Sequence, residues 1–191
     1  MTDLLIRDAT LEDAEAMARI QVEGWTRAYA SFIPDHLPAS YDIGVRQAEW
    51  RDRLARPAPG TVHLLAAEGD AVLAIASGGP PLRDEEIAEG DTDDYTSQVY
   101  GLYVTPGRYG GGIGRRLLGA LAARLAGLDH QNLCLWAFER NPFRRFYDRL
   151  GGTPLAKAVW EVGGVTVHEM AYGWPDIADL IQACSQKGKT E

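Results

Sequence analysis

The sequence QVYGLYVTPGRYGGGIGRR, residues 98–116, carries the clearest structural signal in the chain. Its first seven residues, Gln98 to Val104, are rich in aromatic and β-branched side chains and predict a strand. A glycine-rich turn follows, and from Ile113 the leucine spacing predicts a helix that runs to Leu125. Such a turn can bring backbone N–H groups close to an anion such as a pyrophosphate. It can also do no more than reverse the chain, so the pattern alone leaves both roles open.

Two nucleotide-binding fingerprints can be tested on the spacing of these glycines. A P-loop requires a lysine directly after its last glycine, and no lysine follows Gly112 or Gly114. A dinucleotide fingerprint that begins at these two glycines would need its third glycine at position 117, which is Leu117. Both fingerprints fail, which disfavours ATP or NAD as the ligand of this turn.

A second informative segment, NPFRRFYDRLGG, covers residues 141–152 and follows a predicted strand over 132–138. Asn141 is typical of a helix N-cap, and Gly151 is typical of a helix end. The short helix so predicted carries Phe143 and Tyr147 on one apolar face. That face is by itself a sufficient reason for Tyr147 to be there, so the spacing leaves a chemical role for its hydroxyl open.

The rest of the pattern predicts a mixed α/β domain. Its elements follow the order β-α-α-β-β-β-α-β-α-β-β, which is neither a regular βαβ alternation nor all-β. The first helix begins at Thr10, which with Asp13 forms an approximate capping box, and ends near Tyr29. We expect one domain over residues 1–174, with a central sheet of about seven strands flanked by helices, and a C-terminal tail over 175–191.

The composition excludes several classes of protein. The chain has 191 residues, a formal net charge of −8 and a pI near 5.0, which argues against binding nucleic acid through its overall field. Cys134 and Cys184 are too few for a disulfide framework or a structural zinc site, so we expect no metal. The charged amino terminus and the absence of a long apolar run predict no signal peptide, no membrane partner and a cytoplasmic location.

The charge is unevenly distributed along the sequence. Residues 82–95 hold seven acidic side chains against Arg83, whereas residues 101–150 hold eight arginines against three acidic side chains. The basic segment includes the glycine turn and suits one small polyanion. The acidic stretch is either a solvated loop or a mouth that attracts a cationic substrate.

Taken together and in this order, the two segments resemble the GNAT superfamily of acyl-CoA-dependent N-acetyltransferases, in its bacterial form. The strand, turn and helix over residues 98–125 are similar to the family's pyrophosphate-binding motif, and the run from Asn141 to Gly151 is similar to its second cofactor motif. The opening residues 6–13 and the helix that carries Trp25 and Tyr29 are also similar to bacterial members. The resemblance implies acetyl-CoA as the cofactor and a primary amine of a small molecule or peptide as the acceptor.

The resemblance also implies roles for individual residues. Tyr147 would be the catalytic residue that faces the thioester sulfur, and Trp25, Tyr29 and Tyr100 would line the acceptor pocket. The cofactor would contact Leu102, Tyr103, Val104, Arg108, Tyr109, Gly110, Gly111, Gly112, Ile113, Gly114, Arg115, Asn141 and Tyr147. A homodimer through the terminal hairpin is compatible with the pattern, which does not require one.

The sequence departs from the family pattern at two positions. The family's turn usually begins with Gln or Arg and ends with Gly or Ala. When Gly112 and Gly114 are aligned with this pattern, Tyr109 stands at its first position; when Arg108 is aligned with the first position, Ile113 stands at the last. Some members carry a glutamate base early in the fourth strand, where this chain has Gln98, whose amide cannot take a proton at neutral pH. The base is therefore open, and the candidates are a water chain or one of Glu23, Asp93, Asp94, Tyr100 and Glu139. Gln98 also leaves an alternative function, a non-catalytic acyl-CoA-binding regulatory or interaction domain.

Overall fold

A computed structural model describes residues 3–29, 42–82, 88–90, 92–162 and 164–186 of the chain. The strands in these ranges are β1 (Leu5–Asp8), β2 (Val62–Glu68), β3 (Ala71–Gly79), β4 (Ala88–Gly90), β5 (Gln98–Val104), β6 (Leu133–Phe138), β7 (Thr153–Val162) and β8 (Val165–Trp174). The α-helices are α1 (Ala14–Tyr29), α2 (Ile43–Ala55), α3 (Ile113–Ala126), α4 (Arg145–Arg149) and α5 (Ile177–Ser185). A 3₁₀ turn, Leu11–Asp13, precedes α1.

The strands form one mixed sheet in the order β1-β2-β3-β5-β6-β8-β7-β4. The neighbouring strands are antiparallel except for β5 and β6, which are parallel. A parallel pair needs a crossover connection, and α3 provides it. The predicted mixed sheet flanked by helices is confirmed.

The sheet has one strand more than the expected number of about seven. The additional strand is β4, which lies within the acidic stretch and pairs with β7 from Ala88↔Ala158 to Gly90↔Ala156. Three residues are too few to produce an alternating pattern, so this strand could not be read from the sequence. Residues 83–87 and 91 of the acidic stretch lie outside the described residues.

Helices cover both faces of the sheet and divide the core in two. On one face α1 and α2 bury Met17 and Trp50 against Leu65 of β2. On the other face α3 buries Leu117 and Leu121 between the sheet and α5. The helical spacing in the sequence therefore corresponds to the buried faces. Within the described ranges, no helix is long and apolar enough to cross a membrane.

Helix α5 lies within the region expected to be a tail. Asp176 caps it by accepting a hydrogen bond of 2.8 Å from the Ala178 N–H. Leu180 is fully buried, and Cys184 packs so closely on α3 that a Cβ atom on Gly119 would lie 2.6 Å from its Cβ. Residues 177–185 therefore share the core of the domain.

Candidate active site

A β-bulge in β5 opens a gap in the middle of the sheet. In the pairing of β3 with β5, Ser77 pairs with Gly101 and Gly78 pairs with Val99. Tyr100 is therefore an extra residue in β5 without a partner in β3. β5 and β6 pair only through Gln98↔Cys134 and Val99↔Leu135, although each strand continues beyond these pairs. Because a bulge bends its strand and interrupts regular pairing, the two parallel strands diverge toward their carboxyl ends. The carboxyl ends of parallel strands are where open α/β sheets bind ligands.

The backbone of β5 beyond the bulge presents polar groups to this gap. The N–H of Thr105, just after β5, donates to the carbonyl of Leu73 in β3, and backbone bonding in an antiparallel ladder alternates from residue to residue. Tyr103 therefore bonds β3 as well, whereas the N–H and C=O groups of Leu102 and Val104 point away from β3, toward β6. A ligand in the gap can bond these groups in place of a strand.

The turn between β5 and α3 forms an exposed cradle of backbone. Gly110 and Gly112 have φ angles of +83° and +75°, a conformation that L side chains rarely adopt. A Cβ atom added at Gly110 or Gly111 would meet nothing within 4 Å, so the turn is open on that side. Gly112 is the N-cap of α3 and offers no side chain to the first N–H groups of the helix. These N–H groups and the helix dipole suit a pyrophosphate.

The two arginines expected to bind phosphates are both engaged by the protein. Arg108 forms an ion pair with Glu68 at the end of β2. Arg115 donates hydrogen bonds to the Cys184 carbonyl in the last turn of α5, at 2.9 Å, and to the Gln186 carbonyl just after that helix. One nitrogen of Arg115 also lies 3.6 Å from the position of a Cβ atom on Gly112. Arg115 therefore lies between the turn and α5, where its charge complements the negative end of the α5 dipole.

Asn141 lies at the other edge of the gap, just after β6. Its Oδ1 accepts a hydrogen bond of 2.8 Å from the Phe143 N–H, and its Nδ2 donates one of 3.0 Å to the Tyr29 hydroxyl. Helix α4 begins only at Arg145, so the prediction of Asn141 as the helix N-cap is wrong. The reason is local, because the Asn141 side chain closes a turn of its own before the helix starts.

Aromatic side chains connect α1 to the end of β6. The Tyr29 ring packs edge-on against Trp25 and against Phe138, with ring centroids 5.3 Å and 4.9 Å apart. The structure thus brings together two of the three residues expected to line the acceptor pocket. The third, Tyr100, lies toward the other end of β5, where its hydroxyl donates a hydrogen bond of 2.5 Å to the Pro80 carbonyl.

Tyr147 packs into the core between the sheet and α3, beside the place where the gap begins. Its ring lies 5.7 Å from that of Tyr172, which pairs with Leu135, the last residue of β6 still paired with β5. Burial raises the pKa of the Tyr147 hydroxyl well above its usual value, and the Tyr103 and Tyr172 hydroxyls add to this effect. Tyr147 therefore keeps its proton throughout the physiological pH range.

Tyr103 and Gln98 are engaged away from the gap. The Tyr103 ring lies against α1, where a Cβ atom on Gly24 would be 3.0 Å from it, and burial raises the pKa of its hydroxyl. Gln98 is buried, and its Oε1 accepts a hydrogen bond of 3.0 Å from the Leu82 N–H. Gln98 thus stabilises the segment that follows β3. Tyr103 lies in β5 beside the gap, but its side chain packs against α1.

The carboxylates named as candidate bases are dispersed. Glu23, Asp93 and Asp94 are exposed, the last two in the turn that precedes β5. Glu139 directly follows β6 and forms an ion pair of 3.8 Å with Lys157. The structure does not gather these carboxylates into one cluster beside Tyr147.

A separate cavity of about 340 Å³ lies at the start of β2, away from the gap, since none of its lining residues belongs to β5 or β6. It is lined by Asp8, Ala9, Leu54, Pro57, Thr61, Val62, His63, Arg124 and Leu128. The Nδ1 atom of His63 is buried and has no hydrogen-bond partner in the described part of the chain. Burial lowers the pKa of His63, which also packs edge-on against Trp50 at 5.4 Å. These contacts fit a neutral packing residue.

One residue at the gap was missed from the sequence. Phe143 stacks on Tyr109 of the glycine turn, with ring centroids 5.0 Å apart and an angle of 36° between the rings. Its only signal in the sequence is an aromatic side chain directly after Asn-Pro in a segment that also predicts a helix. The helical interpretation assigned Phe143 to an apolar core face.

Comparison with known proteins gives consistent matches. The family model described as FR47-like protein matches residues 83–161, which include the glycine turn and the Asn141 segment. YuaI, an uncharacterised N-acetyltransferase of Bacillus subtilis (strain 168), is 29% identical over 175 residues, which cover 92% of this chain and 95% of that protein.

Two solved structures share the fold. A GCN5-related N-acetyltransferase from Rhodopseudomonas palustris is 18% identical, with a TM-score of 0.65 over 91% of this chain and 96% of that one. The PaiA N-acetyltransferase from Thermoplasma acidophilum, solved in complex with coenzyme A, is 16% identical, with a TM-score of 0.65 over 90% of this chain and 99% of that one.

Proposed function

We propose that this chain, which belongs to the GNAT superfamily, is an acetyl-CoA-dependent N-acetyltransferase that acts on a primary amine of a small molecule or peptide. One observation carries the proposal. The gap between the diverging strands β5 and β6 joins an anion cradle at its open end to a half-buried tyrosine with a protonated hydroxyl at its closed end. An elongated ligand with a polyanionic head and a thioester at its tip matches this arrangement.

The residues present fit the coenzyme at each part of this gap. The exposed backbone of Gly110, Gly111 and Gly112 and the first N–H groups of α3 would hold the pyrophosphate. The backbone groups of Leu102 and Val104 would hold the amides of the pantetheine arm. When bound, acetyl-CoA supplies an acetyl group activated as a thioester.

Tyr147 would act on the thioester sulfur. Its buried hydroxyl keeps its proton, so Oη can donate a hydrogen bond or a proton where negative charge develops on the departing sulfur. Positioned acids of this kind contribute about 10²–10⁴-fold to a rate. A backbone N–H from β5 directed at the carbonyl oxygen would contribute about 3–4 kcal/mol to stabilising the transition state.

The proton of the incoming amine would leave through water. Gln98 cannot accept it, and its side chain is already bonded to the Leu82 N–H. We therefore expect kcat/KM to rise with pH toward the pKa of the acceptor amine itself, and to change its midpoint when an acceptor of different pKa is used. A midpoint near pH 7 that stays constant for all acceptors would instead identify a protein base.

Steering by the acidic stretch would favour a cationic acceptor. Asp93 and Asp94 are exposed next to the start of β5, close in sequence to the closed end of the gap. Neutralising both should raise KM at low ionic strength and leave it unchanged at high salt. An unchanged KM at low salt would contradict this assignment. A cytoplasmic location, where acetyl-CoA is available, completes the proposal.

Release of free thiol from acetyl-CoA with a panel of primary amines tests the function. Tyr147→Phe should lower kcat by about 100-fold or more while the Kd for CoA changes by less than about threefold. Tyr95→Phe is the matched control, because Tyr95 is a buried tyrosine that belongs to the segment before β5. CoA binding without thiol release for any amine would favour the non-catalytic acyl-CoA-binding domain.

A further inference from the structure

An aromatic pair bridges the open end of the gap. Tyr109 lies in the turn that follows β5, and Phe143 lies in the turn that follows β6. Because β5 and β6 are parallel, both turns lie at the same edge of the sheet, on opposite sides of the gap. The ring centroids lie 5.0 Å apart with the ring planes tilted by 36°, and each residue remains 39% exposed. This contact joins the two sides of a cleft that the strands themselves leave open.

The protein holds both rings in place. The Phe143 N–H is fixed by Asn141 Oδ1, and Asn141 is fixed in turn by the Tyr29 hydroxyl. Tyr109 stands directly before Gly110, whose positive φ turns the chain toward α3. Two large exposed aromatic side chains on rigid turns indicate a binding surface more than a packing need.

The coenzyme has an apolar group at the position where it would contact these two rings. With the pyrophosphate in the glycine cradle and the arm in the gap, the group that passes the bridge is the one bonded next to the pyrophosphate on the arm side. In coenzyme A this group is the start of the pantoate unit, a CH2 followed by a carbon that carries two methyl groups, and it is apolar. Aromatic faces bind such methyl groups by excluding water and by dispersion contacts.

We propose that Tyr109 and Phe143 form an aromatic clasp that packs on the pantoate methyl groups of bound coenzyme A and selects for its arm, which rests on the coenzyme-binding function proposed above. Phe143 is thereby a coenzyme-specificity residue.

Calorimetric titration with two probes tests the clasp. The first probe is coenzyme A, and the second is adenosine 3′-phosphate 5′-diphosphate, which lacks the pantetheine arm. Phe143→Ala and Tyr109→Ala should each raise the Kd for coenzyme A about fivefold and leave the Kd of the second probe within twofold. The double variant should be little worse than either single variant, because each substitution already breaks the pair.

The controls separate the clasp from general damage. Leu128→Ala removes another exposed apolar side chain at the far end of α3 and should leave both Kd values unchanged. Phe143→Leu keeps apolar bulk and should lose less affinity than Phe143→Ala, which also covers the case in which the alanine variant is unstable. Equal weakening of both probes, or no weakening of coenzyme A binding, would overturn the clasp. Failure of the wild-type chain to bind coenzyme A would instead overturn the proposed function.

Discussion

Replacing Asp13 by Asn should weaken the fold at the start of α1. The buried carboxylate of Asp13 accepts hydrogen bonds from both terminal nitrogens of Arg7, at 2.7 Å and 2.8 Å, and from the N–H and hydroxyl of Thr10, at 2.7 Å and 3.0 Å. The hydrogen bond from Arg7 is the main cause that lowers the pKa of Asp13 from 3.8 to about 2. At about 1.4 kcal/mol per pKa unit, this lowering corresponds to about 2 kcal/mol of folding stability at pH 7.

The effect of Asp13 should depend on pH in a defined direction. Because its pKa is lower in the folded state than in the unfolded state, its contribution is complete above the unfolded value and is lost as the pH falls through about 2. Roughly half of the contribution should remain near pH 3. The difference in the free energy of unfolding between wild type and Asp13→Asn should therefore shrink as the solution becomes acidic.

Urea unfolding followed by circular dichroism at pH 7 and pH 3 measures both effects. Asp8→Asn is the matched control, because Asp8 forms a 2.8 Å ion pair with Arg124 in which both side chains are more than half exposed. Exposed pairs of this kind contribute about 0–1 kcal/mol. A loss below about 0.5 kcal/mol for Asp13→Asn, or a difference from wild type that is the same at both pH values, would refute the reasoning.

Three further predictions concern the glycine turn and the cavity. Gly110→Ala should raise the Kd for coenzyme A about fivefold or more, because the φ of Gly110 is positive and its backbone belongs to the proposed cradle. Glu68→Gln should lower that Kd about two- to threefold at low salt by releasing Arg108, and the gain should vanish at 0.5 M NaCl. Burial lowers the pKa of His63 in the folded state, so the unfolded state binds a proton more readily and the fold loses stability as the pH falls. Between pH 7.5 and 5.5 the Tm of the wild type should therefore fall more than the Tm of His63→Gln, and equal falls would contradict this.

The elements with strong local signals could be predicted from the sequence. The leucine spacing of α3 and the turn chemistry before it are properties of neighbouring residues, and the structure has both where they were expected. The same holds for α1, whose capping group at Thr10 and Asp13 is decided within four residues. These predictions succeed because local geometry is sufficient to satisfy the backbone there.

Features that depend on distant contacts could not be predicted in this way. Arg115 stands in a phosphate-binding pattern, yet its guanidinium bonds the carbonyls at the end of α5, which lies about 70 residues further along the chain. Asn141 has the composition of a helix cap, but its amide is shared between its own turn and Tyr29 of α1. In both cases the side chain has several donors, and only the tertiary fold decides which acceptor it meets.

The bulge at Tyr100 unites the two locally encoded motifs into one site. Without the extra residue, β5 would stay hydrogen-bonded to β6 along its whole length. The backbone groups of Leu102 and Val104 would then bond β6 instead of facing a ligand. The divergence frees these groups and leads from the exposed turn down to Tyr147. Neither motif is sufficient by itself, because the turn offers only an anion site and Tyr147 only a buried proton. The gap between them makes a thioester with a polyanionic head the ligand that satisfies both.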